Sequence, residues 1–528
     1  MPSGERPKLP FEPHADAALS WLNALPVENS RERCRQLYAG LQALNASGLD
    51  PVVHYRILEL LRPMAELESG KLLAGIVGKP LPLDERLRNS AKLSAQFQAE
   101  LARGFQSVAG DRQTASELSE DERASLVYRA LSAYEQYLLR LALMYEDASP
   151  SLWSRVHDLY RLAAEFGYAG GGDSGVNEVF GRMLMFRLAC PNRLDQDDIQ
   201  RLNALLRAYG GLIDLKSSPT TGDAFDEFIV DLTSGAPPTR ASAEYPLREG
   251  CRFLNAGRFR RQLALLMQPT VPESERLDEE FAVRVMVRLG GSPPYVAEQK
   301  GRRAMVALGL DSIVAMVLKA QRAESGNSWA GLDALELMPL SDHLGAHPPS
   351  GISKSAGTFS PGSSGTKSVK SAAGGEIWNR LAGEHSCHVF RSEVPGFYVL
   401  DAEGLALSPG KLAGLNTDNE LIQVGVVGVA KPRGTGSLSV FELLANEVRT
   451  VRVFGPSVST AYSALFAQGA GHGPCTLLGP PIKLRNGDAV ELERGGRRDS
   501  YRVARLLENT DEFAQFELIP LDAAVGRV

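Results

Sequence analysis

The stretch GISKSAGTFSPGSSGTKSVKSAAGG, residues 351–375, divides this 528-residue chain into two parts of different character. It is built mainly from Ser, Gly, Ala, Thr and Lys, and its only larger apolar residues are Ile352, Phe359 and Val369. Such a segment buries too little apolar surface to offset the entropy lost when it is ordered. The composition therefore predicts a flexible Ser/Gly-rich linker over residues 346–375.

Before this stretch the apolar residues recur with helical spacing. The clearest case is the segment 116–147, whose broad apolar stripe consists of Leu126, Tyr128, Leu131, Tyr134, Leu138, Leu141 and Tyr145. Helical patterns continue to residues 295–320, whereas GLIDL (211–215) and EFIVDL (227–232) are typical of short strands. These patterns predict a mostly α-helical domain over residues 1–345, with a small β element near 211–255.

After the stretch the apolar residues come in short runs that are separated by Gly and Pro. RTVRVFG (449–455) alternates with period two, and FAQFELIPL (513–521) closes a series of similar runs. Many short strands with Gly- and Pro-rich turns favour an antiparallel barrel or sandwich. The sequence thus predicts an all-β barrel over residues 376–522, a tail over 523–528, and a multidomain fold class of helical region followed by barrel.

Composition excludes several classes of protein. The net charge of −6 gives no basic footprint for general nucleic-acid binding. No apolar run approaches 18 residues and the N-terminus has no apolar signal region, so a cytoplasmic protein without membrane insertion is expected. The cysteines are scattered and form no CxxC pair, which favours free thiols over a disulfide framework or a metal site; they are Cys34, Cys190, Cys251, Cys387 and Cys475.

Catalytic and cofactor motifs are missing from the sequence. It contains no GxxxxGK[ST] phosphate loop and no GxSxG elbow, and the glycines of GAGHGP (469–474) suit a flexible turn. His385 and His388 flank Cys387, but further ligands with metal-site spacing do not accompany them. The expectation is a non-enzymatic protein without a metal or a resident cofactor.

The segment CHVFRSEVPGFYVL (387–400) resembles a motif of a known protein family. This strand–turn–strand resembles the [DN]-x-S-x-x-G core of PilZ-type barrels, a family known for binding cyclic di-GMP, and residues 376–522 look like a degenerate member. The helical first half, with WLNALP (21–26) among its short matches, also resembles the N-terminal region that accompanies such barrels in some proteobacterial proteins. The resemblance implies a role in cyclic-di-GMP-linked control of surface behaviour such as motility, pili or biofilm formation.

Three residues are implied as ligand contacts by this resemblance: Arg380, Arg391 and Gly396. The sequence departs from the motif, because Arg391 stands at the acid or amide position and Glu393 at the serine position. Arg380 is the first member of the family's RxxxR pair, and Glu384 occupies the place of the second. Carboxylates at these positions would repel a dianionic nucleotide. The departures predict a barrel that acts mainly in protein interaction.

We therefore expect a regulatory or adaptor protein that has a protein partner, with cyclic di-GMP as a candidate ligand. One alternative is a cyclic di-GMP sensor that binds through Arg380 and Arg391, and another is a scaffold whose barrel binds no nucleotide. The third is an enzyme with its site in the helical half, which predicts a deep pocket with convergent polar groups around residues 167–255.

Overall fold

The computed structural model describes residues 8–111, 117–169, 175–219, 227–240, 248–290, 301–325, 384–392, 394–405, 407–417, 422–433, 436–455, 461–469, 474–482 and 484–521. The chain divides into two compact units, Met1–Pro294 and Tyr295–Val528. The predicted linker over residues 346–375 lies outside the described residues. The fold class expected from the sequence, a helical region followed by an all-β region, is confirmed.

The first unit is mainly helical. Its helices are α1 (Ala15–Asn23), α2 (Ser30–Ala46), α3 (Pro51–Ala74), α4 (Glu85–Ala109), α5 (Glu120–Leu143), α6 (Pro150–Glu165), α7 (Val176–Leu188), α8 (Gln196–Tyr209), α9 (Gly257–Leu266) and α10 (Glu279–Arg288). Helix α4 packs against both α3 and α5, and its apolar face buries Phe97, Leu101 and Phe105. The spacing of these three residues, four positions apart, keeps them on one side of the helix.

The start of α5 is fixed by a capping box. The Ser119 hydroxyl accepts a hydrogen bond from the Glu122 amide at 3.3 Å, and the Glu122 carboxylate accepts one from the Ser119 amide at 2.9 Å. Such reciprocal bonds satisfy amide groups that a helix N-terminus otherwise leaves unpaired. They set the position of the residues in the first turns of α5, which line the cavity described below.

A small antiparallel sheet completes the first unit, as predicted near residues 211–255. Its strands are β1 (Asp214–Lys216), β2 (Glu227–Asp231), β3 (Thr239–Arg240) and β4 (Cys251–Asn255), in the spatial order β1-β4-β2-β3. Strand β2 is the most apolar of them and buries Phe228, Ile229 and Val230.

The second unit contains two closed barrels of six strands each. The first, in the order β10-β7-β6-β5-β8-β9, uses β5 (Arg302–Leu308), β6 (His385–Arg391), β7 (Phe397–Ala402), β8 (Leu412–Asn416), β9 (Gln423–Arg433) and β10 (Gly436–Ala445). The second, in the order β11-β12-β13-β16-β15-β14, uses β11 (Arg449–Phe454), β12 (Tyr462–Ala467), β13 (Cys475–Gly479), β14 (Ala489–Arg494), β15 (Arg497–Asn509) and β16 (Ala514–Pro520). The strand patterning predicted a single barrel, and this number is corrected to two.

Strand β5 also corrects the predicted helix over residues 295–320. The strand is followed by Gly309, which has a φ of +80°, and by helix α11 (Leu310–Ser325). Strand β5 pairs with β6 on one side and β8 on the other, so Ala304 lies opposite Cys387 and Ala307 opposite Gly414. The structure therefore differs from the predicted helical domain of 1–345, because β5 and α11 belong to the barrel unit.

Helix α11 joins the cores of the two barrels. Ile313 is fully buried, and Gly414 of β8 lies so close that a Cβ placed on it would be 3.0 Å from Ile313 side-chain atoms. At the other end of the helix the Thr450 hydroxyl of β11 donates a hydrogen bond to the Gln321 side chain at 2.8 Å. One continuous cluster of buried residues therefore includes α11, the first barrel and the second barrel.

The substitution Ile313→Ala should destabilise both barrels together. Removing a buried isoleucine side chain costs about 2–4 kcal/mol through lost burial and the cavity left behind. Amide hydrogen exchange should therefore accelerate in β8 and in β11. The control is Leu265→Ala in α9, where the leucine is 51% exposed and the cost should stay below about 0.5 kcal/mol. Loss of protection in β8 alone would contradict a shared core.

Candidate functional site

The hairpin between β6 and β7 carries two of the three residues implied by the sequence motif. Arg391 is the last residue of β6, is exposed, and lies opposite Tyr398 of β7. Gly396 occupies the turn with a φ of +80°, a conformation that favours glycine. Arg380 and Glu393 lie outside the described residues, so the grouping of the three predicted residues into one site stays a prediction.

Backbone hydrogen bonds hold the turn itself. The Ser392 amide donates to the Phe397 carbonyl at 3.1 Å, and the buried Ser392 hydroxyl accepts a hydrogen bond from the Val394 amide at 3.2 Å. The Gly396 carbonyl accepts a hydrogen bond from the Leu443 amide of β10 at 2.8 Å. These hydrogen bonds fix the turn to the barrel wall, and Gly396 takes part in them through its backbone carbonyl.

Glu384, which stands at the second position of the RxxxR pattern, has a partner within the barrel unit. Its carboxylate lies 3.0 Å from the Lys319 ammonium of α11, and only 17% of its side chain is exposed. The charge that would oppose a nucleotide at this position is thus partly offset by Lys319. Among the described residues of the hairpin, Arg391 offers an exposed guanidinium to an anionic ligand.

A second candidate site is a cavity of about 720 Å³ in the helical unit. It lies between the first turns of α5, the turn after α6 at residues 167–168, and the start of α7. Its polar and aromatic lining residues include Glu120, Asp121, Ser125, Tyr128, Arg129, Tyr168, Glu178 and Arg182. The pocket predicted by the enzyme alternative around residues 167–255 overlaps this cavity only in part, since more than half of the described lining residues come from α5.

The floor of the cavity is charged. The Arg182 guanidinium contacts Glu135 through Nε at 2.6 Å and Glu178 through Nη1 at 2.8 Å. Burial alone would lower the pKa of Arg182, but its hydrogen bond to Glu135 and the charges of both glutamates outweigh burial and raise the pKa. Arg182 is therefore a permanent cation that fixes one oxygen of Glu178.

Arg129 and Glu178 keep polar atoms available on the cavity wall. The Nε atom of Arg129 lies 3.4 Å from a Glu59 oxygen and forms no hydrogen bond, and within the described residues its terminal nitrogens form none either. Glu178 uses Oε1 for Arg182, and its Oε2 accepts no hydrogen bond from any described residue. One guanidinium and one carboxylate oxygen thus face ligand-sized space.

The aromatic wall depends on Gly175, which precedes α7. A Cβ on this glycine would come within 3.0 Å of the Tyr128 ring, and its φ of +67° favours glycine in any case. Tyr168 is mostly buried, and burial raises the pKa of its hydroxyl. The Tyr168 ring is therefore uncharged near physiological pH, and Tyr128 adds a second aromatic surface to the wall.

Among the described residues that line this cavity there is no histidine or cysteine, and Ser125 has no adjacent base among them. Nucleophilic catalysis uses such a pair of nucleophile and base. Within the described part of the chain, His, Cys, Asp and Glu side chains form no group of three that could hold a metal ion. No described helix is long and apolar enough to span a membrane.

This second site was not predicted from the sequence, in which Tyr128 belongs to the apolar stripe of a helix. The available signal was the charged residues Asp121 and Arg129, which stand beside the stripe in α5, but their proximity to Glu178 follows only from helix packing.

Comparisons with known proteins found one family model and one relative. The family model described as the N-terminal domain of the cyclic-di-GMP receptor FimW matches residues 16–220. The cyclic-di-GMP receptor FimW of Pseudomonas aeruginosa is 30% identical over 235 residues, which cover 42% of this chain and 38% of that protein. The chain therefore aligns with well under half of the length of this relative. No solved structure matches the chain.

The substitution Gly396→Ala should destabilise the β6–β7 hairpin. A Cβ would meet no neighbouring atom there, so the cost of about 1–2 kcal/mol comes from the positive φ alone. Faster amide exchange in β7 and β10 would report this cost. The control is Gly211→Ala, where space is equally open and φ is ordinary; equal exchange in the two variants would contradict the turn strain.

Proposed function

We propose that this chain is a non-enzymatic, cytoplasmic regulatory protein in cyclic-di-GMP-linked signalling, and that its barrel unit acts mainly in protein interaction. The observation that carries the proposal is the match of residues 16–220 to a domain named after a cyclic-di-GMP receptor. The identity of 30% to that receptor in Pseudomonas aeruginosa supports the same link. Because the alignment covers a minor part of the relative, nucleotide binding by this chain is part of the proposal.

The adaptor role rests on the barrel hairpin. Arg391 is exposed at the end of β6, and the Gly396 carbonyl is used by the barrel wall. One guanidinium without the acid or serine of the PilZ motif is a poor match for a cyclic dinucleotide, whose phosphates and bases need several directed partners. A protein surface can use the same exposed hairpin through shape and dispersed polar contacts.

The alternative is a sensor that binds cyclic di-GMP through Arg380 and Arg391, with Gly396 in the turn. The name of the matched relative, a cyclic-di-GMP receptor, favours this alternative. The two versions differ in what the barrel arginines contribute to nucleotide affinity.

Calorimetric titration of the full chain with cyclic di-GMP should show binding, and Arg391→Ala and Arg380→Ala should each change the affinity by less than about threefold. A lost charge-assisted hydrogen bond would instead cost at least about tenfold. The control is Arg485→Ala, an exposed arginine of the second barrel. A tenfold loss in both barrel variants supports the sensor alternative, and the absence of binding at millimolar nucleotide contradicts the proposal.

A further inference from the structure

We infer that the cavity between α5 and α7, rather than the barrel hairpin, holds a guanine base of cyclic di-GMP. This inference rests on the proposed function, because it assigns the nucleotide of that proposal to a site. Every lining residue of the cavity falls within residues 16–220, the segment that matches the receptor domain. The barrel hairpin lies outside that segment.

The size of the cavity suits one half of a cyclic dinucleotide. Pockets for ligands of drug-like size have volumes of about 300–1,000 Å³, and this one measures about 720 Å³. A base can occupy this volume while the phosphates of the ring-shaped ligand remain outside it. Tyr128 and Tyr168 supply aromatic surface, and stacking on such rings is a common way to hold an unpaired base.

The polar groups of the cavity complement the edge of guanine. Guanine carries donors at N1 and N2 and acceptors at O6 and N7. The free Oε2 of Glu178 and the exposed carboxylate of Asp121 are acceptors for the donor side. The terminal nitrogens of Arg129 are donors for O6 and N7, and the Glu59 contact at 3.4 Å holds the other end of this guanidinium.

The charge of the cavity determines which end of the ligand enters. The carboxylates of Glu120, Asp121 and Glu178 outnumber the guanidiniums of Arg129 and Arg182, so two phosphates inside the cavity would be repelled. A neutral base avoids this cost.

The base assignment gives the site a specificity that can be measured. Adenine lacks the two adjacent donors of guanine, and it has an acceptor where guanine has the N1 proton. When such a site binds adenine, its carboxylate acceptors lose their hydrogen-bond donors. Leaving these acceptors unpaired is strongly unfavourable. Cyclic di-AMP should therefore bind at least about tenfold more weakly than cyclic di-GMP.

The test is calorimetric titration of the full chain and of two cavity variants, Arg129→Gln and Glu178→Gln. Glutamine at position 178 keeps an oxygen for Arg182 but loses the carboxylate. Each variant should lower the affinity for cyclic di-GMP at least about tenfold, as expected for a lost charged hydrogen bond. Thermal unfolding of each variant identifies any loss of affinity that comes from unfolding. Binding is then compared at a temperature at which all variants are folded.

The controls separate this inference from the proposed function. Arg161→Gln removes an exposed α6 arginine that also pairs with a carboxylate, Asp158, and it should bind as the unchanged chain does. If the cavity variants bind normally while Arg391→Ala or Arg380→Ala loses binding, the site is in the barrel and only this inference fails. Equal affinity for cyclic di-AMP also overturns it. If the unchanged chain binds no cyclic di-GMP, the proposed function fails with it.

Discussion

The pairing of β5 with β6 is the interaction on which the barrel unit depends. Strand β5 lies before residues 326–383 in the chain and β6 lies after them, yet the two strands are neighbours in one closed barrel. Without β5 the edges of β6 and β8 would be open, and exposed strand edges are prone to wrong pairing. Closure of the first barrel also positions α11, whose apolar face extends the core into the second barrel.

This pairing changes the meaning of the Ser/Gly-rich stretch 351–375. Its composition suggested a tether between a helical body and a barrel, but the elements on both sides of it, α11 and β6, belong to the same unit. Lys319 of α11 and Glu384 before β6 form an ion pair, so α11 lies beside the start of β6. The stretch is better described as an insertion within the barrel unit than as a link between units.

Most of the helical unit could be predicted from the sequence, because amphipathic spacing and N-cap side chains are local signals. Asn29 and Ser119 each accept a hydrogen bond from an amide in the first turn of the helix that follows. The error at β5 has a physical cause: RRAMVALGLD (302–311) contains no turn residue before Gly309, so a short buried strand resembles the start of the helix that follows. The number of barrels could not be predicted either, since closure depends on which distant strands pair. The cavity is formed by three elements that are separate in sequence, and neither Arg129 nor Glu178 stands out locally. The hairpin with Arg391 and Gly396 was located correctly, because strand–turn–strand is a local pattern.

Residues 376–522 do not form a complete domain without β5 and α11. The most direct test compares amide hydrogen exchange in a chain that begins at residue 295 with one that begins at residue 376. We expect slow exchange in β6, β8 and β11 of the longer chain, and rapid exchange with aggregation in the shorter one. Equal protection of these strands in both chains would show that the barrel unit closes without β5, so that β5 and α11 are not required.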